Sequence, residues 1–206
     1  MRYDFPNIVP AVIDRALQAV SMTWYKFWSP IQAWFWGVRH AGQVRFQGKT
    51  LIRTHRVGDI TVGRHVVFNS QASTNPVGLM GPSILDTLGG GRIIIGDESG
   101  FSSVVLSSRS EIRIGSRVKA GGNVRIFDHD FHCLDSKIRC TAADRLYVKT
   151  RPVVIEDDVF VGTNAIILKG TKIGARSIVA AGSVVFGLQI PSDSLVKGNP
   201  AKIIAR

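Results

Sequence analysis

The chain has 206 residues, 45% of them hydrophobic, and its 26 lysines and arginines outnumber its 15 aspartates and glutamates, giving a formal net charge of +11. This length and composition predict a single soluble domain with a modest extension. The positive charge is spread along the chain without a helix-turn-helix, zinc-finger or RNA-binding signature, so no nucleic-acid partner is predicted. Cys133 and Cys140 are too few for a disulfide framework and fit no zinc spacing, which favours a reducing compartment such as the cytoplasm.

Residues 1–43 form an aromatic-rich extension that we expect to be helical. All four tryptophans of the chain lie in it, with three further aromatic residues beside them: Trp24, Tyr25, Phe27, Trp28, Trp34, Phe35 and Trp36. Lys26 and Pro30 interrupt the segment, and its apolar runs are well short of the ~20 residues that cross a membrane. Asp4 and Pro6 likewise interrupt any secretory leader, so none is predicted.

Two interpretations of these aromatic residues stay open. In the first, they cap the fold and are buried against it or against a sister subunit. In the second, they belong to an interfacial helix that lies among lipid headgroups. We favour the cap, because most aromatic stripes belong to protein cores. The basic stretch downstream suits an anionic face of the inner membrane, an acidic glycan or a solvated surface: Arg39, Arg45, Lys49, Arg53, Arg56 and Arg64.

The most regular feature of the chain is a six-residue period near its end. Aliphatic residues stand at six successive positions of one phase: Ile155, Val161, Ile167, Ile173, Val179 and Val185. Small or β-branched residues keep the same step four positions later: Val159, Ala165, Thr171, Ser177 and Ser183. This period suits a chain that makes a short strand, turns a corner and repeats. Three sides close a coil, so we predict a parallel β-helix over residues 44–190, with strands stacked about 4.8 Å apart and residues 191–206 as a tail.

Several finer expectations follow from the period. Glycine or alanine after the aliphatic residue is expected to let the backbone turn at the corner. Lys169 falls at a position whose side chain is expected to point outward. Fainter copies of the phase occur earlier in the chain: Val62 and Val66; Ile95, Phe101 and Val105; Ile114, Val118, Ala120, Val124 and Ile126. The step from Ile126 to Ile155 is not a multiple of six, and the polar stretch of about 131–152 reads as a loop ejected from one corner. Such loops on rigid scaffolds often carry function.

Three runs carry a resemblance to a known family: Val-Ile-Glu-Asp-Asp-Val-Phe-Val-Gly-Thr-Asn-Ala at 154–165, Ala-Gly-Ser-Val-Val at 181–185 and Gly-Asn-Pro-Ala-Lys-Ile-Ile at 198–204. The chain resembles the hexapeptide-repeat acyltransferases over about residues 90–206. It is closest to their maltose/galactoside acetyltransferase-like branch, which includes sugar and capsule O-acetyltransferases. The resemblance implies an all-β, left-handed parallel β-helix, a homotrimer with active sites between subunits, acetyl-CoA as acyl donor and a saccharide or glycan as acceptor.

The resemblance also implies a catalytic residue. Acyl transfer from a thioester to a hydroxyl needs a base for the proton and a donor for the oxyanion. Similar proteins carry Asp-x-Asp-Phe-His-x-x-Asp, which matches residues 128–135 and makes His132 the base. His129 falls at a position that is often not histidine. The candidates to orient His132 or to grip sugar hydroxyls are Asp128, Asp130 and Asp135.

Residues for the donor and the acceptor follow from the same resemblance. The set implied for coenzyme A is Phe160, Thr163, Ala181, Lys202 and Arg206. Within it, the Thr163 amide holds the thioester oxygen, Ala181 lies against the pantetheine arm and Lys202 lies near the phosphates. Ser102 and Ser103 match a turn across the acceptor pocket. Where relatives often carry Thr-Lys, this chain has Phe186-Gly187, which removes one expected phosphate contact.

The favoured function is an O-acetyltransferase of polysaccharide or glycan biosynthesis, and two other functions stay open. A metal hydrolyase of the γ-carbonic-anhydrase kind uses the same β-helix but needs three histidines converging on zinc. His129 and His132 are three apart and no third histidine has a persuasive position, so no metal site is predicted. A non-catalytic scaffold is the second alternative, and the intact sequence around His132 argues against it.

Overall fold

The computed structural model describes the backbone of residues 5–204 and the side chains from residue 12 onward, except those of residues 14, 18 and 22. It begins with a long helix, α1 (Phe5–Phe35), and continues in short strands that form three sheets. Two small helical segments, α2 (Ser136–Arg139) and a 3₁₀ helix (Asp144–Leu146), lie between strands near the middle of the chain.

As far as β20, every third strand of the chain belongs to the same sheet. The first sheet is ordered β1 (Arg39–His40), β4 (Ile60–Val62), β7 (Arg92–Ile95), β10 (Glu111–Ile114), β13 (Val153–Ile155), β16 (Lys172–Ile173) and β19 (Gln189–Ile190). The second is ordered β2 (Val44–Gln47), β5 (Val66–Asn69), β8 (Gly100–Ser102), β11 (Lys119–Gly122), β14 (Phe160–Val161), β17 (Ile178–Val179), β20 (Leu195–Gly198) and β21 (Ala201–Ile204). The third holds β3 (Leu51–Arg53), β6 (Ile84–Asp86), β9 (Val105–Ser107), β12 (Arg125–Phe127), β15 (Ile166–Leu168) and β18 (Val184–Phe186).

These sheets are the three sides of a parallel β-helix, as the six-residue period predicts. Val154 pairs with Lys172 and Ile166 with Val184, so successive coils are three hexapeptides apart where the period is strict. The described strand pairs are parallel except the last, in which β21 turns back along β20 and ends the sheet. The antiparallel hairpin at the end protects the final coil from pairing with another chain.

The predicted central column is confirmed. The six aliphatic residues of the strict period are at most 1% exposed, and so are the five small or β-branched residues that follow them by four. In the earlier coils Phe46, Phe68 and Phe101 stack with centroids 5.3 and 5.1 Å apart. The expectation for Val105 is wrong: its neighbours Val104 and Leu106 are buried, whereas Val105 is half-buried.

The glycines that follow the aliphatic residues are needed for a different reason from the predicted one. A Cβ on Gly115 would lie 2.7 Å from the backbone nitrogen of Asp157, and one on Gly162 or Gly174 would lie 2.4 Å from the nitrogen of the next coil. These glycines therefore allow close stacking of coils. Positive φ angles at a corner belong instead to other residues, including Asp158 at 60° and Arg176 at 59°.

Two loops leave the coil. The predicted one runs between β12 and β13 and contains both short helices, and across it Arg125 pairs directly with Ile166. A second loop, residues 70–83, leaves between β5 and β6 and has no counterpart in the sequence predictions. Lys169 does not point freely outward as predicted, because Asp130 at the root of the first loop forms an ion pair with it and leaves its side chain only 11% exposed.

Helix α1 covers the first coil with small and polar residues. Ser29 accepts a hydrogen bond from the Phe46 amide at 2.8 Å, Gln32 donates to the Thr50 carbonyl at 2.8 Å, and Ala33 is fully buried. The aromatic residues lie elsewhere: Trp24, Phe27, Trp34 and Phe35 are 63–80% exposed. For these four residues the expectation of burial against the coil is wrong, because they lie on the side of the helix away from it. Tyr25 is the exception: it is half-buried, and its hydroxyl donates to Gln71 at 3.1 Å. Over the described residues, no helix has an apolar stretch long enough to cross a membrane.

Candidate active site

His132 lies in the loop that follows β12 and is held by an acid from the far end of the same loop. Its Nδ1 is 2.6 Å from Oδ2 of Asp144, which begins the 3₁₀ helix. The other oxygen of Asp144 accepts the backbone N–H of Cys133 at 2.6 Å. The Asp144 side chain is 12% exposed, whereas that of His132 is 67% exposed. The carboxylate therefore clamps one edge of the imidazole and leaves the other edge open.

The charge of Asp144 decides which ring nitrogen carries the proton. The hydrogen bond from the Cys133 amide, and then that from the His132 ring, hold the pKa of Asp144 below its usual value. An ionised carboxylate only accepts hydrogen bonds, so Nδ1 of His132 must donate and therefore carries a proton. Nε2 of the neutral ring then has a free lone pair, as a general base requires.

The lowered pKa of Asp144 predicts a pH-dependent contribution to stability. Because this pKa is lower in the folded than in the unfolded chain, the stabilisation is fully present above the unfolded value of about 3.9 and disappears as pH falls through the folded value. We expect Asp144→Asn to lower the melting temperature by a few degrees at pH 7 and the difference from the unaltered protein to shrink below about pH 4. Thermal melts from pH 7 to 3 measure this. Asp135→Asn is the control, and a pH-independent difference would contradict the prediction.

His129, the second histidine of the loop, is buried. Its Nε2 lies 3.1 Å from the Ser107 hydroxyl, its Nδ1 lies 2.9 Å from the Asp130 carbonyl, and its ring packs edge-on against Phe131 with centroids 4.7 Å apart. Only 6% of the residue is exposed. These contacts fasten the root of the loop to the end of β9.

The three predicted partners of His132 have other hydrogen-bond partners. Asp128 is buried and accepts bonds from the Ser108 hydroxyl and from the amides of Arg109 and Ser110 at 2.6 to 2.8 Å. One oxygen of Asp130 pairs with Lys169, and the other is buried without a partner among the described residues. Asp135 caps α2 through the Lys137 amide at 2.8 Å. The acid that sequence reasoning missed, Asp144, belongs to no motif and lies twelve positions from the histidine.

His132 opens onto a cleft of about 340 Å³, which we call the His132 cleft. Its walls come from the ends of three successive strands of the third sheet and from the loop. The residues that matter below are Arg53, Asp86, Gly89, Arg109, Phe131 and Arg145. It therefore lies at the corner between the third sheet and the first.

A second cleft, of about 560 Å³, lies along the second sheet and holds Ser102, Phe160 and Thr163; we call it the Thr163 cleft. Ser102 is buried and accepts a hydrogen bond from Asn75 at 2.8 Å, and Ser103 donates to the Gly81 carbonyl, so both serines also hold the loop of residues 70–83. In the described part of the chain, the Thr163 N–H donates to no other group. Its nitrogen is packed over Gly121, where an added Cβ would lie 2.7 Å away. A backbone amide that has no acceptor of its own can serve as an oxyanion donor.

The remaining residues predicted for the donor extend the line of the Thr163 cleft toward the end of the coil. Ala181 lies one coil beyond Thr163, is exposed, and has its backbone nitrogen packed over Gly162. Lys202 is exposed on β21, opposite Lys197 of β20. Arg206 lies outside the described residues. The structure thus groups Ser102, Phe160 and Thr163, and leaves His132 in a different cleft of the same chain.

Among the side chains that the structure describes, no three histidines, cysteines or carboxylates come close enough to share a metal ion. At the site itself, His132 faces an aspartate and His129 faces a serine. This arrangement is that of a base with its orienting acid and does not resemble a three-histidine zinc site.

Comparison with known proteins supports the fold that carries this site. Residues 152–186 match a family model described as the hexapeptide repeat of succinyl-transferase, and they are the coils with the strict six-residue register. These residues are hexapeptide repeats. With that match, the three-sided coil is the left-handed parallel β-helix, and the predicted fold is confirmed.

Solved structures share the fold along most of the chain. A hexapeptide-repeat-containing acetyltransferase from Vibrio cholerae O1 biovar eltor, complexed with acetyl coenzyme A, has a TM-score of 0.56 and 24% identity and covers 99% of this chain and 92% of its own. A maltose O-acetyltransferase from Clostridium difficile 630 has a TM-score of 0.54 and 20% identity, and it covers 94% of this chain and 86% of its own. At these identities the likeness is one of fold.

A curated relative matches more strongly over a shorter stretch. The 2,3,4,5-tetrahydropyridine-2,6-dicarboxylate N-acetyltransferase of Clostridium perfringens is 58% identical over 53 residues, which are 26% of this chain and 22% of that protein. The chain therefore spans about a fifth of the length of the curated relatives it matches.

Proposed function

We propose that the protein is an acetyl-CoA-dependent O-acetyltransferase that modifies a saccharide or glycan hydroxyl, with His132 as general base. The observation that carries this proposal is the pair formed by His132 and Asp144, which frees Nε2 at an open cleft. The hexapeptide-repeat fold supports it, since structural neighbours are acetyltransferases that include the maltose enzyme. Polysaccharide or glycan biosynthesis in the cytoplasm is the setting that we propose.

Each step of the transfer has a candidate group. The acceptor hydroxyl oxygen attacks the thioester carbonyl carbon while Nε2 of His132 takes its proton. Asp144 stabilises the resulting imidazolium, and the Thr163 amide holds the tetrahedral oxyanion. The carbon–sulfur bond then breaks, the thiolate of coenzyme A takes the proton from His132, and the acetyl ester leaves. No covalent enzyme intermediate is required.

The separation of the two clefts supports a homotrimer with shared active sites. His132 lies at the corner between the third and first sheets, whereas Thr163 and Ala181 follow strands of the second sheet. In the proposed trimer the His132 cleft of one subunit meets the Thr163 cleft of its neighbour. Coenzyme A then runs past Phe160 and Ala181 toward Lys202 and Arg206. We further propose that Ser102, Ser103, Asp130 and Asp135 contact the acceptor.

A thiol-release assay tests the activity directly. Purified protein is mixed with acetyl-CoA and a panel of free sugars, nucleotide sugars and lipid-linked glycans, and free coenzyme A is measured together with the mass of the acceptor. We expect thiol release that depends on one class of acceptor and gives an acetylated product. Thiol release without acceptor dependence, or none with any member of the panel, would argue for the scaffold alternative.

The aromatic face of α1 supports a peripheral membrane contact. Its exposed apolar residues recur every three or four positions, twice as an adjacent pair, and so share one face: Ile13, Leu17, Val20, Trp24, Phe27, Trp28, Ile31, Trp34 and Phe35. Ser29 and Ala33, which hold the helix on the coil, lie on the opposite face. Lys26 and Arg45 line one surface hollow beside the helix and supply positive charge. We propose that this face lies on an anionic lipid surface.

Vesicle binding tests the proposed membrane contact. We expect the triple variant Trp24→Ser, Phe27→Ser, Trp34→Ser to lose about tenfold or more in binding to anionic vesicles, because three exposed aromatic anchors are removed. Its melting temperature should not change, since none of the three packs on the coil. Binding should also weaken with salt. Met80→Ser, at an equally exposed apolar residue outside the helix, is the control. Unaltered vesicle binding with a changed molar mass in light scattering would point to a sister subunit instead.

A further inference from the structure

The His132 cleft has an unusual concentration of positive charge. Arg53, Arg109 and Arg145 line it from three different parts of the chain: the end of β3, the turn after β9 and the 3₁₀ helix of the loop. Asp86 is the carboxylate that lines it with them, and its side chain accepts a hydrogen bond from the Leu88 amide at 3.0 Å. Three arginines therefore line the cleft onto which His132 opens.

These arginines differ from others in how they are paired. On the coil corners, Arg64, Arg117 and Arg176 each donate two side-chain hydrogen bonds to the carboxylate of an aspartate in the next coil. Within the described chain, none of the three arginines of the cleft lies within 4.0 Å of a carboxylate. Charge left unpaired in a concave site beside a base can be used by a ligand.

Arg109 is the most firmly placed of the three. Its backbone amide donates to Asp128, a fully buried carboxylate that also fastens the residues on either side of it. Its side chain lies across Gly89, where an added Cβ would be 2.3 Å from Cγ of the arginine. Its guanidinium reaches the Arg145 carbonyl at 3.4 Å. The buried carboxylate and the bare glycine together hold the guanidinium at the cleft.

We propose that the acceptor carries an anionic group, a carboxylate or a phosphate, and that Arg53, Arg109 and Arg145 bind it while the reacting hydroxyl faces His132. A guanidinium fork binds either group through paired, charge-assisted hydrogen bonds. This inference rests on the proposed function and narrows its substrate from saccharides in general to acidic ones. It also gives part of the net charge of +11 a specific use.

Matched acceptors separate the two sources of negative charge. Galactose, galacturonate and galactose 1-phosphate differ in one substituent, so kcat/KM with each reports recognition of no anion, a carboxylate or a phosphate. We expect at least one anionic acceptor to exceed galactose by tenfold or more, with an advantage that declines as salt is added. Arg109→Gln and Arg53→Gln should each lower kcat/KM for that acceptor by roughly ten- to a hundredfold, while KM for acetyl-CoA stays constant.

A binding measurement keeps this inference separate from the proposed activity. Calorimetric titration of the intact protein with galacturonate or galactose 1-phosphate should show binding that Arg109→Gln weakens and that Arg113→Gln, at an exposed arginine paired with Glu111, leaves unchanged. Such binding without turnover would support the anion site and contradict the acetyltransferase proposal. Equal turnover of all three sugars, or a rise in KM for acetyl-CoA alone in the arginine variants, would overturn the inference and leave the acetyltransferase proposal standing.

Discussion

His132→Ala is expected to lower kcat by roughly 10²- to 10⁴-fold while leaving the β-helix folded. The side chain is 67% exposed and lies in a loop outside the buried column, so its removal leaves no cavity in the core. What disappears is the lone pair on Nε2 that would take the hydroxyl proton. Steady-state thiol release with acetyl-CoA and the best acceptor measures the loss, and a thermal melt checks that the fold persists.

His129→Ala is the matched comparison, because it removes the same side chain three positions earlier. His129 is buried, and its ring contacts Ser107 and Phe131. Its loss should therefore lower stability by about 1–3 kcal/mol and affect turnover much less. The two variants should thus have opposite profiles, one inactive and stable, the other active and less stable. An inactive His129→Ala beside an active His132→Ala would show that the base is assigned to the wrong histidine.

The strict coils could be predicted from sequence because every corner in them has the same length. Ala165 follows Val161 by four residues, and the register of the sheets follows from counting residues in this way. The earlier coils are less regular: from Phe101 to the equivalent buried residue, Val104, there are three steps. A corner one residue shorter shifts the whole following strand, so Val104 and not Val105 is the buried residue. Hydrophobic period alone does not reveal the length of a corner.

The site was predictable only in part, because its two halves depend on different information. A local motif marks His132, and residues 154–165 mark the strand that carries Thr163. The contact between Asp144 and His132 depends on how the loop folds back on itself. A loop without a period gives no sequence signal for such a contact. The arginines of the His132 cleft come from three separate coils or loops, so only the stacking of coils brings them together. Which face of α1 is exposed likewise depends on which side of the helix packs on the coil.

Ile167→Asp is expected to cost at least about 4 kcal/mol of unfolding free energy, because it places a carboxylate in a fully buried apolar column. Ile167 is fully buried on β15, between Ile126 of β12 and Val185 of β18 in register. Ile126 and Val185, the two residues in register with it, cannot donate a hydrogen bond to a carboxylate, so the acid would be buried without a partner there or would force the coils apart. For a chain of this size, such a loss lowers the melting temperature by roughly 10 °C or more.

The control for this variant has to be an isoleucine outside the column. Lys169 is unsuitable, because Asp130 pairs with it and an aspartate there would add repulsion between two carboxylates. Ile203, on the terminal hairpin, is 44% exposed, so Ile203→Asp makes the same chemical change where water can solvate the charge. It should cost about 1 kcal/mol or less. Equal shifts in melting temperature for the two variants would mean that the six-residue register does not define the buried column.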